Sequence, residues 1–146
     1  MKIALTSVVP ADRGRVFAAL GDPVILRRCI QGCEELVETA PDSYAATMRV
    51  GLAGLKGSYR GTATIRDKHS PESLTLGFEG KGAPGFVRGS AAIVLTEGDG
   101  GTRLACDADV HVGGLIAAVG SRLVEATAKK LADDFFSQLA RELATS

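Results

Sequence analysis

Gly80-Lys81-Gly82-Ala83-Pro84-Gly85 matches GxGxxG, a pattern whose glycines let backbone amides approach a nucleotide phosphate. That chemistry needs a helix to open at the third glycine, so that its N-terminus faces the anion. Here Pro84 lies inside the motif, and a strand-like stretch, Phe86 to Thr96, follows it. The segment is therefore expected to be a flexible loop between two strands, turning at Pro84-Gly85. A sharper reading makes it a mobile flap at a pocket mouth, with Phe86 as its apolar tip.

Three cysteines and two histidines are the candidate metal ligands. Cys29 and Cys33 lie four apart near a predicted helix end, and a structural zinc site needs four ligands. Cys106 should face inward and His111 outward on one strand, so they do not converge, and His69 stands apart. No metal is expected, and the thiols should be reduced and buried. Asp107, Asp109 and His111 share the outer face of that strand, where solvated carboxylates keep ordinary acidity. No Ser-His-Asp or Cys-His arrangement stands out, and no catalytic residue and no cofactor is assigned. Tyr59 is the one polar side chain expected on an inner face.

Lys plus Arg and Asp plus Glu both number 17, so the net charge is zero, and there are only five Phe, two Tyr and no Trp. Phosphate binding wants an excess of base, and base stacking wants aromatics, so nucleic acid is excluded as a partner. An odd, small number of cysteines fits a cytoplasmic protein better than a disulfide framework. The N-terminus has too short an apolar run for a signal peptide, and the stretch from Val112 to Ser121 falls short of the ~20 residues of a membrane span. The length suits one domain, residues 1–146, with enough core to need no staple.

The elements that must position any site follow from periodicity. Residues 2–9 form a β-branched strand, Pro10 starts a short helix, and Asp22-Pro23 starts a second whose buried face is Leu26, Cys29 and Ile30. From Cys33 to Val112 the period is two. Tyr44, Ala46, Met48, Val50 and Leu52 share a face, as do Tyr59, Gly61, Ala63 and Ile65, then Leu74, Leu76 and Phe78. The later sets are Val87, Gly89, Ala91, Ile93 and Leu95, then Leu104, Cys106, Ala108, Val110 and Val112. Turns fall at Pro41-Asp42, Gly54, Ser70-Pro71 and Gly98-Asp99-Gly100-Gly101. After Gly113-Gly114 a helix of about 43 Å is expected over Leu115 to Leu143. Its buried stripe is Leu115, Val119, Leu123, Leu131, Phe135, Leu139 and Leu143. The fold class is α+β: a curved antiparallel sheet of about seven strands wraps this long C-terminal helix, with two short helices after the first strand.

Small residues line the inner face: Gly61, Ala63, Gly89, Ala91, Cys106 and Ala108. Either the helix presses onto them, or the curved sheet holds it off and leaves an apolar cavity. If a cavity forms, its expected lining is Phe17, Ile30, Met48, Tyr59, Phe78, Phe86, Val110, Leu115, Val119 and Leu123. Its expected gates are the glycine loop, Gly80, Gly82 and Gly85, and the hinge Gly113-Gly114. Arg49, Lys56, Arg60, Arg66 and Lys68 make the outer face basic, either as ordinary surface or as a dock for an acidic partner or an anionic membrane.

The order and spacing of several segments carry a resemblance. These are Asp22-Pro23, Cys29-Ile30-Gln31-Gly32-Cys33-Glu34, Lys56-Gly57-Ser58-Tyr59-Arg60-Gly61, Gly80-Lys81-Gly82 and Gly100-Gly101-Thr102-Arg103-Leu104. Gly120-Ser121-Arg122-Leu123, Lys129-Lys130-Leu131-Ala132-Asp133 and Phe135-Phe136 complete the set. From Ile3 to Leu143 the chain resembles the carbon monoxide dehydrogenase G-subunit family, within the START and pollen-allergen helix-grip superfamily. Gln31 departs from the proline usual there, which bears on local rigidity and not on the fold. The resemblance implies a non-catalytic accessory protein of a molybdenum hydroxylase of the carbon monoxide dehydrogenase type. It implies an apolar ligand such as a quinone or lipid in an internal cavity, recruitment of the enzyme to the membrane, or both. The expected location is cytoplasmic, with peripheral contact at the inner face of the membrane. The alternative is a helix-grip enzyme, cyclase-like or hydrolase-like, acting on an apolar substrate; a third reading is an interaction module with a filled core.

Overall fold

The computed structural model describes residues 1–52, 55–98 and 100–144; the expected turn at Gly54 and the Asp99 tip lie outside these, as do the side chains of Val50 and Leu52. Strand β1 (Lys2–Val9) buries Ile3 and Val9, and helices α1 (Arg13–Ala19) and α2 (Pro23–Cys29) follow. Pro10 does not start α1. A tight turn closed by Ala11 N–H to Val9 O at 2.8 Å precedes it, and Asp12 is the cap, its Oδ1 accepting from Arg15 N at 2.8 Å. The second start is as expected: Asp22 Oδ1 accepts from Val24 N at 2.9 Å, with Pro23 at the first helical position.

The remaining strands are β2 (Cys33–Ala40), β3 (Ser43–Leu52), β4 (Leu55–His69), β5 (Ser73–Gly82), β6 (Gly85–Gly98) and β7 (Gly101–Gly114). They form one antiparallel sheet in the order β1-β7-β6-β5-β4-β3-β2. The glycine motif is not a flexible loop. β5 runs through Gly82, β6 starts at Gly85, and Gly82 pairs with Gly85, so only Ala83 and Pro84 turn. Pro84 is buried and its carbonyl accepts from Ile116 N at 3.1 Å, which ties the hairpin tip to the chain beyond β7. Gly113 and Gly114 are likewise strand, paired with Phe86 and Gly85.

The long helix is broken. α3 (Leu115–Ala118) ends before Gly120, whose φ of +102° is a conformation side chains rarely adopt, and α4 (Ser121–Ala144) starts anew. The break resets the helical phase, so Ile116 and Val124 turn inward. Leu115 and Leu123 are 61 % and 47 % exposed, not part of the buried stripe. The stripe resumes with Phe136, Leu139 and Leu143.

Two apolar clusters result. The larger joins β1, α1, α2, the sheet and the C-terminal half of α4 around Val9, Val16, Leu95, Leu104 and Leu139. Thr102, fully buried in this region, donates its hydroxyl to Ala11 O at 2.7 Å. The smaller is Tyr59, Ile116 and Val124, with Met1, Val87, Val112 and Val119 packed on it.

Candidate ligand-binding site

Register places the inner-face residues in rows across the strands. Tyr44, Ala63, Phe78, Gly89 and Val110 form one row, and Met48, Tyr59, Gly82, Gly85 and Gly114 another. Between them run Ala46, Gly61, Gly80, Val87 and Val112. All five of this middle row keep intermediate exposure, and Ala46, Gly61, Gly80 and Val87 also border a concavity on the outer side of the sheet. Across from the sheet, Val124 belongs to the smaller cluster and Ala132 to the larger. Ala128 and Leu131, on the same face between them, are half-buried and belong to neither. Met48, Ala63 and Phe78 share that condition. Burial is thus concentrated toward the two ends of α4, and the small and half-buried residues between them are the candidate place for an apolar cleft.

The predicted lining divides accordingly. Met48, Tyr59, Phe78 and Val110 stand on the inner face, and Val119 packs beside Tyr59. Ile30 is half-buried past the end of α2. Phe17 packs on the larger cluster and lines a smaller pocket of about 210 Å³ with Tyr44, Ile65 and Leu74. Phe86 is misplaced in the expected lining: strand alternation sends its neighbour Val87 inward and Phe86 to the outer face, 37 % exposed over Gly113. Of the expected gates, Gly80 lies in the cleft floor, Gly82 and Gly85 close a hairpin, and Gly113 and Gly114 are paired backbone. A Cβ at Gly82 would sit 2.9 Å from the Tyr59 ring, so the phenol occupies the space a side chain there would need.

Tyr59 is the polar group that stands out on the inner face, inside the smaller cluster. It is 5 % exposed, and its hydroxyl is the buried side-chain polar atom that finds no hydrogen-bond partner among the described residues. Burial raises its pKa, so it stays a neutral phenol with a proton to donate. By contrast Tyr44, also buried, donates to Gly21 O at 2.6 Å. An unmet buried hydroxyl costs about 1–3 kcal/mol. Tyr59→Phe should therefore raise the stability of the ligand-free protein by about 1 kcal/mol, read by urea unfolding. An unchanged or lower midpoint would show that the hydroxyl is satisfied.

The thiols lie apart from this cleft chemistry. Burial raises Cys29 and Cys106 to about 11, with Glu142 adding to the effect at Cys29 and Asp107 at Cys106; Cys33, half-buried, is also raised by burial. Among the described residues no three His, Cys, Asp or Glu gather as metal ligands. In the unfolded chain these thiols ionise from about pH 9, so above it the unfolded state holds fewer protons and stability falls toward pH 11. Iodoacetamide on native protein should label Cys33 first, leaving Cys29 and Cys106 to react on unfolding; equal native rates would contradict the burial. Asp107, Asp109 and His111 stand on the outer face, where Asp109 meets the Met1 amine at 3.6 Å and His111 at 3.9 Å.

Sequence reasoning missed a second concavity. A trough of about 790 Å³ crosses the outer face of β2 to β6, bordered by Glu35, Val37, Thr47, Arg60, Glu79 and Arg88, with Phe86 and Lys81 also in it. Alternation alone could have put these residues on one face; the register across strands was needed to bring them together.

Among the described residues no helix is long and apolar enough to cross a membrane. A family model for the carbon monoxide dehydrogenase G subunit (CoxG) matches residues 6–144. No curated protein matches the chain. Among solved structures, a conserved protein from Geobacillus kaustophilus is 34% identical, with a TM-score of 0.94 over 100% of this chain and 97% of that one. A START superfamily protein from Mycobacterium smegmatis is 14% identical, TM-score 0.74, over 99% and 97%. Ara h 8.0201 is 14% identical, TM-score 0.72, over 100% and 99%, and these last two likenesses speak for the fold alone. With sheet, C-terminal helix and a family match over nearly the whole length in agreement, this chain belongs to the CoxG family of carbon monoxide dehydrogenase G subunits and has the START-like helix-grip fold.

Proposed function

We propose that the chain is a non-catalytic carrier that holds an apolar small molecule, a quinone or lipid, in the cleft between sheet and α4. It would serve a molybdenum hydroxylase of the carbon monoxide dehydrogenase type, delivering or receiving that molecule and bringing the enzyme to the membrane by peripheral contact. The observation that carries this reading is the stretch of small and half-buried residues, Ala46, Gly61 and Gly80 on the sheet and Ala128 and Leu131 on α4, that belongs to neither cluster. Leaving apolar surface unburied forgoes about 25 cal/mol per Å², and a ligand that enters the cleft recovers it. The Tyr59 hydroxyl supports a ligand that is apolar along its length but ends in an oxygen acceptor. The family's name supports the choice of enzyme partner.

Native mass spectrometry and solvent extraction of protein purified from its own host test this directly. A bound quinone or lipid released in near-stoichiometric amount is the expected result. Recovery of none, together with no uptake of either in titration, would overturn the carrier reading.

A further inference from the structure

The outer trough carries an arrangement that the folded chain alone does not balance. Arg60 stands directly opposite Lys81, and Lys81 directly opposite Phe86. Directly opposed like charges destabilise a strand pair. Arg88 faces Glu79 across the strands, yet no ion pair joins them; its guanidinium lies 5.8 Å from the Phe86 ring centroid. Of the other cations of this face, Arg49 meets Glu34 at 3.9 Å, Lys68 meets Asp42 at 3.1 Å and Lys2 meets Asp109 at 3.9 Å, while Lys56, Arg66 and Arg103 stand outside the trough. Arg60, Lys81 and Arg88 are in no ion pair among the described residues, and Lys81 and Arg88 flank an aromatic ring that is 37 % exposed.

We propose that this trough docks a short acidic segment of a partner protein, one that also carries an apolar side chain to pack on Phe86. Charge complementarity selects the acid: three exposed, unmatched cations border the floor. Shape selects a chain segment over a lipid surface. The site is concave, and Glu35 and Glu79 within it would repel a continuous anionic plane, whereas a segment can offer them donors. The trough also touches Ala46, Gly61, Gly80 and Val87, but Arg60, Lys81, Arg88 and Phe86 point to the outer face, so this inference rests on other side chains than the carrier reading.

Fluorescence anisotropy of labelled Asp- and Glu-rich peptides bearing one central Phe tests it, with binding expected to weaken as salt is raised. The combined variant Arg60→Glu, Lys81→Glu, Arg88→Glu should lower affinity by about tenfold or more, and Phe86→Ala by about threefold. Arg122→Glu, an exposed position on α4, is the control for net charge and should change little. All these side chains are exposed, and unchanged melting curves confirm that each variant folds. Absence of peptide binding by the parent protein, or equal losses in the triple variant and in Arg122→Glu, overturns the proposal. So does binding to phosphatidylglycerol–phosphatidylcholine vesicles that the triple variant loses while no peptide binds; that outcome assigns the trough to a membrane.

Discussion

Leu139→Ala is expected to lower the unfolding free energy by about 3 kcal/mol, while Leu131→Ala, two turns earlier on the same face of α4, should cost below about 1 kcal/mol. Both remove the same atoms. Leu139 is fully buried in the larger cluster, so its truncation leaves a cavity that close-packed neighbours cannot fill. Leu131 is half-buried and lies between the clusters, so much of what it loses was never removed from solvent. The pair thus measures the discontinuity of the core. Urea unfolding of the ligand-free protein reads both, and similar costs would mean that helix and sheet are packed along their whole length. The same Leu131→Ala change should weaken an apolar ligand, because it removes part of the cleft wall.

Ala128→Phe should abolish apolar ligand binding, with a drop of at least about tenfold, while stability stays level or rises by up to about 1 kcal/mol. Ala128 sits between Val124 of one cluster and Ala132 of the other, half-buried. A phenyl group there projects into the gap and buries against the middle row, where Gly61 and Gly80 offer little obstruction. Overpacking a filled core costs about 1–3 kcal/mol, so the sign of the stability change separates a cleft from a closed interior. Displacement of a fluorescent apolar dye and a thermal melt on the same samples give both readings. A destabilised variant that binds the dye as the parent does would refute the cleft.

Much of this architecture was legible along the chain because it rests on short-range rules. Alternation of side chains is a local property of a strand, and it placed Tyr44, Tyr59, Phe78, Ile93 and Leu104 on the inner face without knowledge of any partner strand. Asp22-Pro23 announced α2 because a cap and a proline act within one turn. Two misreadings share a cause. A helical stripe at multiples of four assumes one unbroken phase from Leu115 to Leu143, and a single left-handed residue, Gly120, ended it. Glycines at 80–85 suggested slack, but in neighbouring strands a glycine also permits close approach. Gly82 makes room for the Tyr59 ring and Gly113 for Phe86, so these positions are tightly paired.

Residue order was thus enough to establish the α+β class, the inner and outer faces of the strands and the stock of small inward residues. Which of those residues share a row was settled only in the folded sheet. Folding collected Ala46, Gly61, Gly80, Val87 and Val112 into one half-exposed strip, and Arg60, Lys81 and Arg88 into one unmatched cluster on the other side. Register is the cause of the difference. Periodicity says which way a side chain points, but what it stands beside depends on how distant strands align, and that alignment is set by hairpin lengths and by burial of the whole sheet face at once.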